Sequence, residues 1–228
     1  EVEDPSVSVV EQLAAQIAKV AATREVVVVS SGAIALGVER LQLPARPKDV
    51  PGKQACAAVG QSRLMRAWEE ALHPRPVAQV LLTHDDVQER RRYLNARHAL
   101  EKLLGQGVIP VVNENDTVSA DEIKFGDNDT LAGLVAGLVD ADLLVILSDV
   151  DGLYDDDPRE NPDAKRIGYV PQITRELLEK AGAAGSKVGT GGMATKVRAA
   201  ARATGQGIRC VVCAGLTPRR LEQVLSGE

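Results

Sequence analysis

Five short apolar runs constrain this sequence more than any other feature. They fall at residues 26–29, 77–82, 108–112, 143–147 and 208–214, with stretches of helical periodicity between them. A run that is apolar on both faces fits a strand covered by helices on either side, the usual state of a parallel sheet. The four valines at 26–29 are accordingly expected to form a central parallel strand. Between the runs, Val9, Val10, Leu13, Ala14, Ile17 and Val20 recur at helical spacing, with Ser6 or Ser8 as the expected N-cap. Residues 54–72, 94–104, 193–203 and 218–225 also read as helices, and Leu131, Leu134, Val135 and Leu138 mark another. Thr83 with Asp85 is expected to open a short turn or helix. This alternation predicts an α/β protein with a mostly parallel, doubly wound sheet. The polar or glycine-rich loops at 155–162 and 181–192 read as mobile active-site loops.

Composition narrows the options. The chain has 228 residues, enough for one sizeable α/β core or two small ones. Aromatics are only 2%, so Val, Leu, Ile and Ala must build that core. A formal charge of -5 argues against a general nucleic-acid binder, which needs a basic face. No stretch approaches the ~18 to 20 apolar residues of a membrane span, and a reducing cytoplasm is the expected location. Cys210 and Cys213 lie three apart on an expected strand and so point to opposite faces, which suits neither a redox pair nor a metal pair. Cys56, among alanines in a helical pattern, reads as packing.

In open parallel sheets, ligands bind beyond the carboxyl ends of the strands. Three of the apolar runs end in turns suited to that. The first continues as Ser30-Ser31-Gly32-Ala33, the third as Asn113-Glu114-Asn115-Asp116, and the fourth as Ser148-Asp149-Val150-Asp151-Gly152. A second polar group follows the third run, at Asp127, Asn128 and Asp129. So many carboxylates and amides cannot all sit unpaired in an apolar core. They fit a site that grips a small, multiply charged molecule, although a solvated hairpin with a helix cap uses the same residue types. Ser31, Gly32 and Ala33 let a ligand approach the backbone at a helix start, where free N–H groups favour an anion.

The run Gly189-Thr190-Gly191-Gly192-Met193-Ala194-Thr195-Lys196 supplies exposed backbone donors, two hydroxyls and one cation. That set can hold a polyphosphate and neutralise developing charge. It lacks the Gly-Lys-Ser/Thr of a Walker A loop. Its formal G-x-G-x-x-A match lacks the preceding strand and following acid of a dinucleotide site. Together the turns suggest phosphoryl transfer to a small polar acceptor. A carboxylate acceptor is already nucleophilic at neutral pH, so none of His73, His84 and His98 is required.

These segments together resemble the amino acid kinase family. The resemblance rests on VVSSGAIALG at 28–37, KQACAAVGQSRL at 53–64, LNAR at 94–97, VVNENDT at 111–117, EIKFGDNDT at 122–130, LSDVDGLY at 147–154 and GTGGMATK at 189–196. It implies a three-layer α/β/α sandwich with a mostly parallel central sheet, and a single kinase domain over residues 1–228. It further implies phosphorylation of the side-chain carboxylate of L-glutamate by ATP with Mg2+, giving the 5-phosphate on the route to proline. By motif, Ser31, Asp116 and Asn128 look like glutamate contacts, with Gly32, Ala33, Asn113 and Asp127 beside them. Ser148, Asp149, Thr190, Gly191, Gly192, Met193, Ala194, Thr195 and Lys196 look like the nucleotide site. Lys196 is then the catalytic cation and Asp129 the group that orients it; no residue is assigned as a metal ligand. The family's Lys-x-Gly strand is expected ahead of Glu1, and at least one further strand beyond Glu228. Many members also append a small RNA-modification-type domain. Proline feedback, a dimer or tetramer, and an arginine-rich segment at 87–97 lining the acceptor region are further expectations. Two alternatives stay open: a glutamate- or proline-binding regulatory protein without turnover, and a related kinase acting on another carboxylate.

Overall fold

The run at 108–112 becomes the middle strand of a three-stranded parallel sheet. The computed structural model describes residues 5–119, 128–156, 158, 161–183 and 192–227. Its elements are α1 (Pro5–Val20), β1 (Val28–Val29), α2 (Ala33–Arg40), α3 (Val50–Leu72), β2 (Val77–Leu82), α4 (His84–Gln88), α5 (Arg90–Leu104) and β3 (Ile109–Glu114). They continue with α6 (Asn128–Leu138), β4 (Leu143–Ser148), β5 (Leu153–Tyr154), β6 (Arg166–Ile167), α7 (Arg175–Ala183), α8 (Met193–Gly205), β7 (Arg209–Ala214) and α9 (Arg220–Ser226). The chain divides into two compact units, Glu1–Phe125 with Leu221–Glu228, and Gly126–Arg220.

In the first unit the strand order is β1-β3-β2, all parallel. This corrects the expectation for 26–29. Only Val28 and Val29 pair, and they lie at the edge of the described sheet. The central place belongs to β3, whose residues from Ile109 to Asn113 are all buried. Val111 packs with Leu64, Ala67, Trp68 and Leu72 of α3 and with Ala14 and Ile17 of α1.

Helix starts account for most boundary differences. α1 is already under way at Pro5, so Ser6 and Ser8 lie inside the helix rather than ahead of it. α3 begins at Val50, four residues early, because Asp49 Oδ1 accepts the Gly52 N–H at 2.8 Å and Pro51 suits a first turn. α5 also begins early. Glu89 accepts the N–H groups of Arg91 and Arg92 at 2.9 and 3.1 Å. The cap partner of Thr83 is Asp86 and not Asp85: Asp86 Oδ2 accepts from the Thr83 N–H at 2.7 Å and hydroxyl at 2.6 Å.

α2 and α3 meet backbone to backbone. A Cβ on Gly37 would overlap the Cys56 carbonyl oxygen, and one on Gly60 would overlap that of Ala33. The C-terminal helix joins this unit through Lys19 Nζ to Glu222 Oε1 at 2.7 Å, and through the Leu221 N–H to Gln16 Oε1 at 3.2 Å.

In the second unit β4 and β7 pair in parallel from Leu143↔Arg209 to Ser148↔Ala214. α6 and α8 cover them, with Ala136, Ala199 and Ala203 packed on Leu144 and Ile146. Of the loops expected at 155–162 and 181–192, residues 157, 159–160 and 184–191 lie outside the described residues. β5 and β6 form a small antiparallel ladder on either side of the first loop, and Ala181 lies in α7. Neither element was foreseen, since two-residue strands leave no periodicity to read. No helix among the described residues is long and apolar enough to cross a membrane.

Candidate active site

In the first unit, two of the foreseen turns lie side by side because their strands do. β1 runs parallel to β3, and the Ser30 N–H extends the pairing to the Val112 carbonyl at 3.0 Å. The chain then turns at Gly32, whose φ of 118° suits a residue without a Cβ, and enters α2. No side chain caps that helix start, so Ser31, Gly32 and Ala33 lead into open backbone donors there. Trp68 braces the turn from α3. Its indole Nε1–H donates to Ser30 Oγ at 2.9 Å, and Ser30 Oγ lies 3.2 Å from the Ser31 carbonyl.

The polar group after β3 is built differently from its sequence reading. β3 continues through Asn113 and Glu114, so these are strand residues. Asn113 is 4% exposed. Its burial is tolerated because both ends of its amide are paired: Nδ2 donates to Gln61 Oε1 at 2.9 Å, and Oδ1 accepts the Glu114 N–H at 2.9 Å. The turn follows, with the Asn115 N–H bonded to the Leu82 carbonyl at 2.9 Å and the Asn115 carbonyl accepting from Val118 and Ser119. Ser119 Oγ donates to Glu114 Oε1 at 2.9 Å, and Gln54 Nε2 donates to the Ser119 carbonyl at 3.4 Å. Asp116 lies within this turn, half-buried. Asp127 lies outside the described residues. Two of the four arginines in the segment at 87–97 are in ion pairs: Arg92 reaches Asp86 at 3.0 Å and Arg97 reaches Glu101 at 2.8 Å.

In the second unit, the starts of α6 and α8 place a cation against a carboxylate. Asn128 and Asp129 open α6, and Met193 to Lys196 form the first turn of α8. The two helices approach closely, a Cβ on Gly133 standing 3.1 Å from the Ala199 carbonyl. Lys196 Nζ lies 3.0 and 3.2 Å from the two oxygens of Asp129, and each side chain is only 15% exposed. Thr195 was foreseen as a nucleotide hydroxyl. It is buried, with Oγ1 2.6 Å from Asp129 Oδ2 and 2.7 Å from the Gly192 carbonyl. It also accepts the Gly192 N–H at 3.2 Å, which ties the end of the glycine-rich run to the helix start. Met193 and Ala194 contribute that first turn, whose backbone donors face the direction of Gly192. Thr190 and Gly191 lie outside the described residues.

Burial, helped by the charge of Asp129, pushes the Cys210 thiol up to about 12, so it stays protonated. Burial also raises that of Cys213, and both are free thiols without a partner sulfur. At the end of β4, Ser148 Oγ is 3.1 Å from Asp149 Oδ1 and accepts the Val150 N–H at 3.4 Å. The Gly215 N–H closes on the Ser148 carbonyl at 3.1 Å, joining the ends of β4 and β7. Gln54, Gln61 and Trp68 lie in the expected helix at 54–72, the first two within the family segment at 53–64, but none was assigned a role at the site. Their common signal was a spacing of seven along α3, which reads as ordinary helix-face packing.

Residues 2–214 match the amino acid kinase family. The chain is 68% identical over 206 residues to the glutamate 5-kinase of Myxococcus xanthus, covering 90% of this chain and 55% of that protein. It is 55% identical over 219 residues to the glutamate 5-kinase of Citrifermentans bemidjiense, covering 95% and 59%. The chain thus spans little more than half the length of these curated relatives. Among solved structures it resembles a Giardia carbamate kinase, with a TM-score of 0.63, 16% identity and coverage of 95% and 87%. It also resembles the isopentenyl phosphate kinase of T. acidophilum, with a TM-score of 0.60, 18% identity and coverage of 96% and 86%. These two share its fold. By the match over nearly its whole length, the chain belongs to the amino acid kinase family.

Proposed function

We propose that this chain transfers the γ-phosphoryl group of ATP to the side-chain carboxylate of L-glutamate. The observation that carries the reading is the Asp129–Lys196 pair at the head of α8, in a chain 68% identical to a glutamate 5-kinase. An ammonium has three N–H donors, and Asp129 fixes the direction of Lys196 without removing its charge. The cation then meets negative charge as it builds on the transferring group, where preorganised electrostatics act most strongly. The acceptor needs no general base. A glutamate carboxylate oxygen attacks the γ-phosphorus, the bond to the β–γ bridging oxygen breaks, and ADP leaves as glutamyl 5-phosphate forms.

Within this reading the turn at Ser31, Gly32 and Ala33 and the turn at Asp116 hold glutamate, with Asn128 and Asp127. Asp116 meets the substrate ammonium. Asn113, its amide paired inside the protein, supports that turn. Ser148, Asp149 and the run from Thr190 to Lys196 hold the nucleotide. Among the described residues no group of three or more His, Cys, Asp or Glu could hold a metal ion. Mg2+ is assigned to the nucleotide's own phosphates, which suit a hard cation that keeps several waters, and no step here runs through a protein-bound metal. We read residues 1–228 as one kinase domain of a cytoplasmic homo-oligomer, dimer or tetramer. Proline, which keeps the α-carboxylate and charged amine of glutamate, competes at the acceptor turns.

The test is an ATP-dependent hydroxamate assay on the full-length protein with L-glutamate, L-aspartate and N-acetylglutamate. Product with glutamate is expected. Product with either of the others and none with glutamate refutes the substrate assignment.

A further inference from the structure

The buried face of α3 carries a polar stripe that the reaction above does not use. Gln54, Gln61 and Trp68 are seven residues apart, so each lies within about 20° of the last around the helix axis. Each hydrogen-bonds to a different part of the acceptor region: Gln54 to the Ser119 carbonyl, Gln61 to Asn113, and Trp68 to Ser30. An interior helix face usually presents only apolar groups to a parallel sheet. Three polar links at one spacing, all directed at the same end of β1 and β3, make this face a scaffold for the turns beyond them.

The middle link has a fixed direction. The Glu114 backbone N–H can only donate, so the atom of Asn113 that meets it at 2.9 Å is the carbonyl Oδ1. Asn113 Nδ2 must then face α3, and Gln61 must present Oε1 to it, at 2.9 Å. That leaves Gln61 Nε2 to donate, which it does to Gln79 Oε1 on β2 at 3.3 Å. One peptide group thus sets the orientation of two buried-side amides in turn.

We propose that Gln61 is a positioning residue for the acceptor turn. Its Oε1 holds Asn113, and through the Asn113–Glu114 bond it sets the path of the chain into Asp116. This inference rests on the glutamate-kinase reading above. Gln61→Met keeps length and removes the acceptor that Asn113 Nδ2 meets on α3. Gln61→Glu keeps an acceptor for Nδ2, and the Gln79 amide can turn to donate in its place.

The experiment measures steady-state kinetics of full-length wild type, Gln61→Met and Gln61→Glu for both substrates, with thermal unfolding of each. We expect Gln61→Met to raise the glutamate KM about tenfold. Its ATP KM should stay within about twofold, and Gln61→Glu should recover most of the loss. Unchanged glutamate KM in Gln61→Met, equal rises in both KM values, or no recovery by Gln61→Glu overturns the proposal. So does failure of Gln61→Met to fold while Gln61→Glu folds with a wild-type glutamate KM and no kinetic defect beyond stability, which assigns Gln61 to stability alone. A wild type with no glutamate-dependent turnover overturns the kinase reading itself, and this inference with it.

Discussion

Lys196 is the side chain whose loss should be felt most in turnover and least in binding. Its charge is held by Asp129 in a mostly buried pair, and in the proposed role it meets charge that exists only during transfer. Lys196→Ala should lower kcat about 10²- to 10³-fold while the glutamate KM changes by less than about threefold. Steady-state kinetics check this, and an unchanged kcat with a raised glutamate KM removes the role. The pair joins positions 67 residues apart, so no spacing argument could reach it. The family resemblance suggested it, and geometry supplied the distance. Thr195 shows the opposite case. Its hydroxyl reads as a phosphate ligand in the sequence, and in the structure it also meets Asp129 and Gly192. From sequence a hydroxyl beside a lysine gives no clue which way it turns, because the competing acceptor comes from another helix. Asn113 was read as a polar group that burial would punish. The cost is avoided by a partner 52 residues away.

At the scale of elements, long apolar runs were legible and short or capped ones were not. β2 was read to the residue, because six apolar-rich positions between turns leave little choice. β5 and β6, two residues each, carry no pattern at all. The early starts of α3 and α5 come from side-chain caps outside the apolar periodicity, at Asp49 and Glu89. Two predictions belong here. Gly60→Ala places a methyl against the Ala33 carbonyl between two helices in backbone contact. It should destabilise by about 1 to 3 kcal/mol or more in denaturant unfolding. Gly105→Ala, at a residue with φ of -63° and an ordinary 3.4 Å contact, should be nearly neutral.

A further prediction at this scale concerns the α4 cap. Burial pushes the Asp86 carboxyl up, but hydrogen bonds from Thr83 and the nearby Arg92 outweigh it, and its pKa lies below the ordinary 3.8. A depressed carboxylate stabilises the fold above its unfolded pKa and loses that contribution as pH falls through its folded value. The melting temperature of Asp86→Asn should therefore trail wild type at pH 7, and the gap should narrow by pH ~3. A gap of constant size at both values would remove the electrostatic part of the argument.

For the whole molecule, the proposed assignment of the Ser31 and Asp116 turns to glutamate and of the ends of β4 and α8 to the nucleotide gives a spatial forecast. Hydrogen–deuterium exchange on the full-length protein should show L-glutamate protecting residues 28–37 and 109–119. A non-hydrolysable ATP analogue should protect residues 143–150 and 192–205. Proline should reproduce the glutamate pattern; protection by proline confined to other segments would separate feedback from the acceptor turns. The chain also carries a single tryptophan, and that residue, Trp68, is 2% exposed with its indole N–H bonded to Ser30. The emission of an indole shifts with the polarity and hydrogen bonding around it. Light absorbed above the tyrosine band is therefore taken up in this chain at one spot, directly behind the turn assigned to glutamate. The molecule comes with its own optical gauge of that turn, readable in real time without a label.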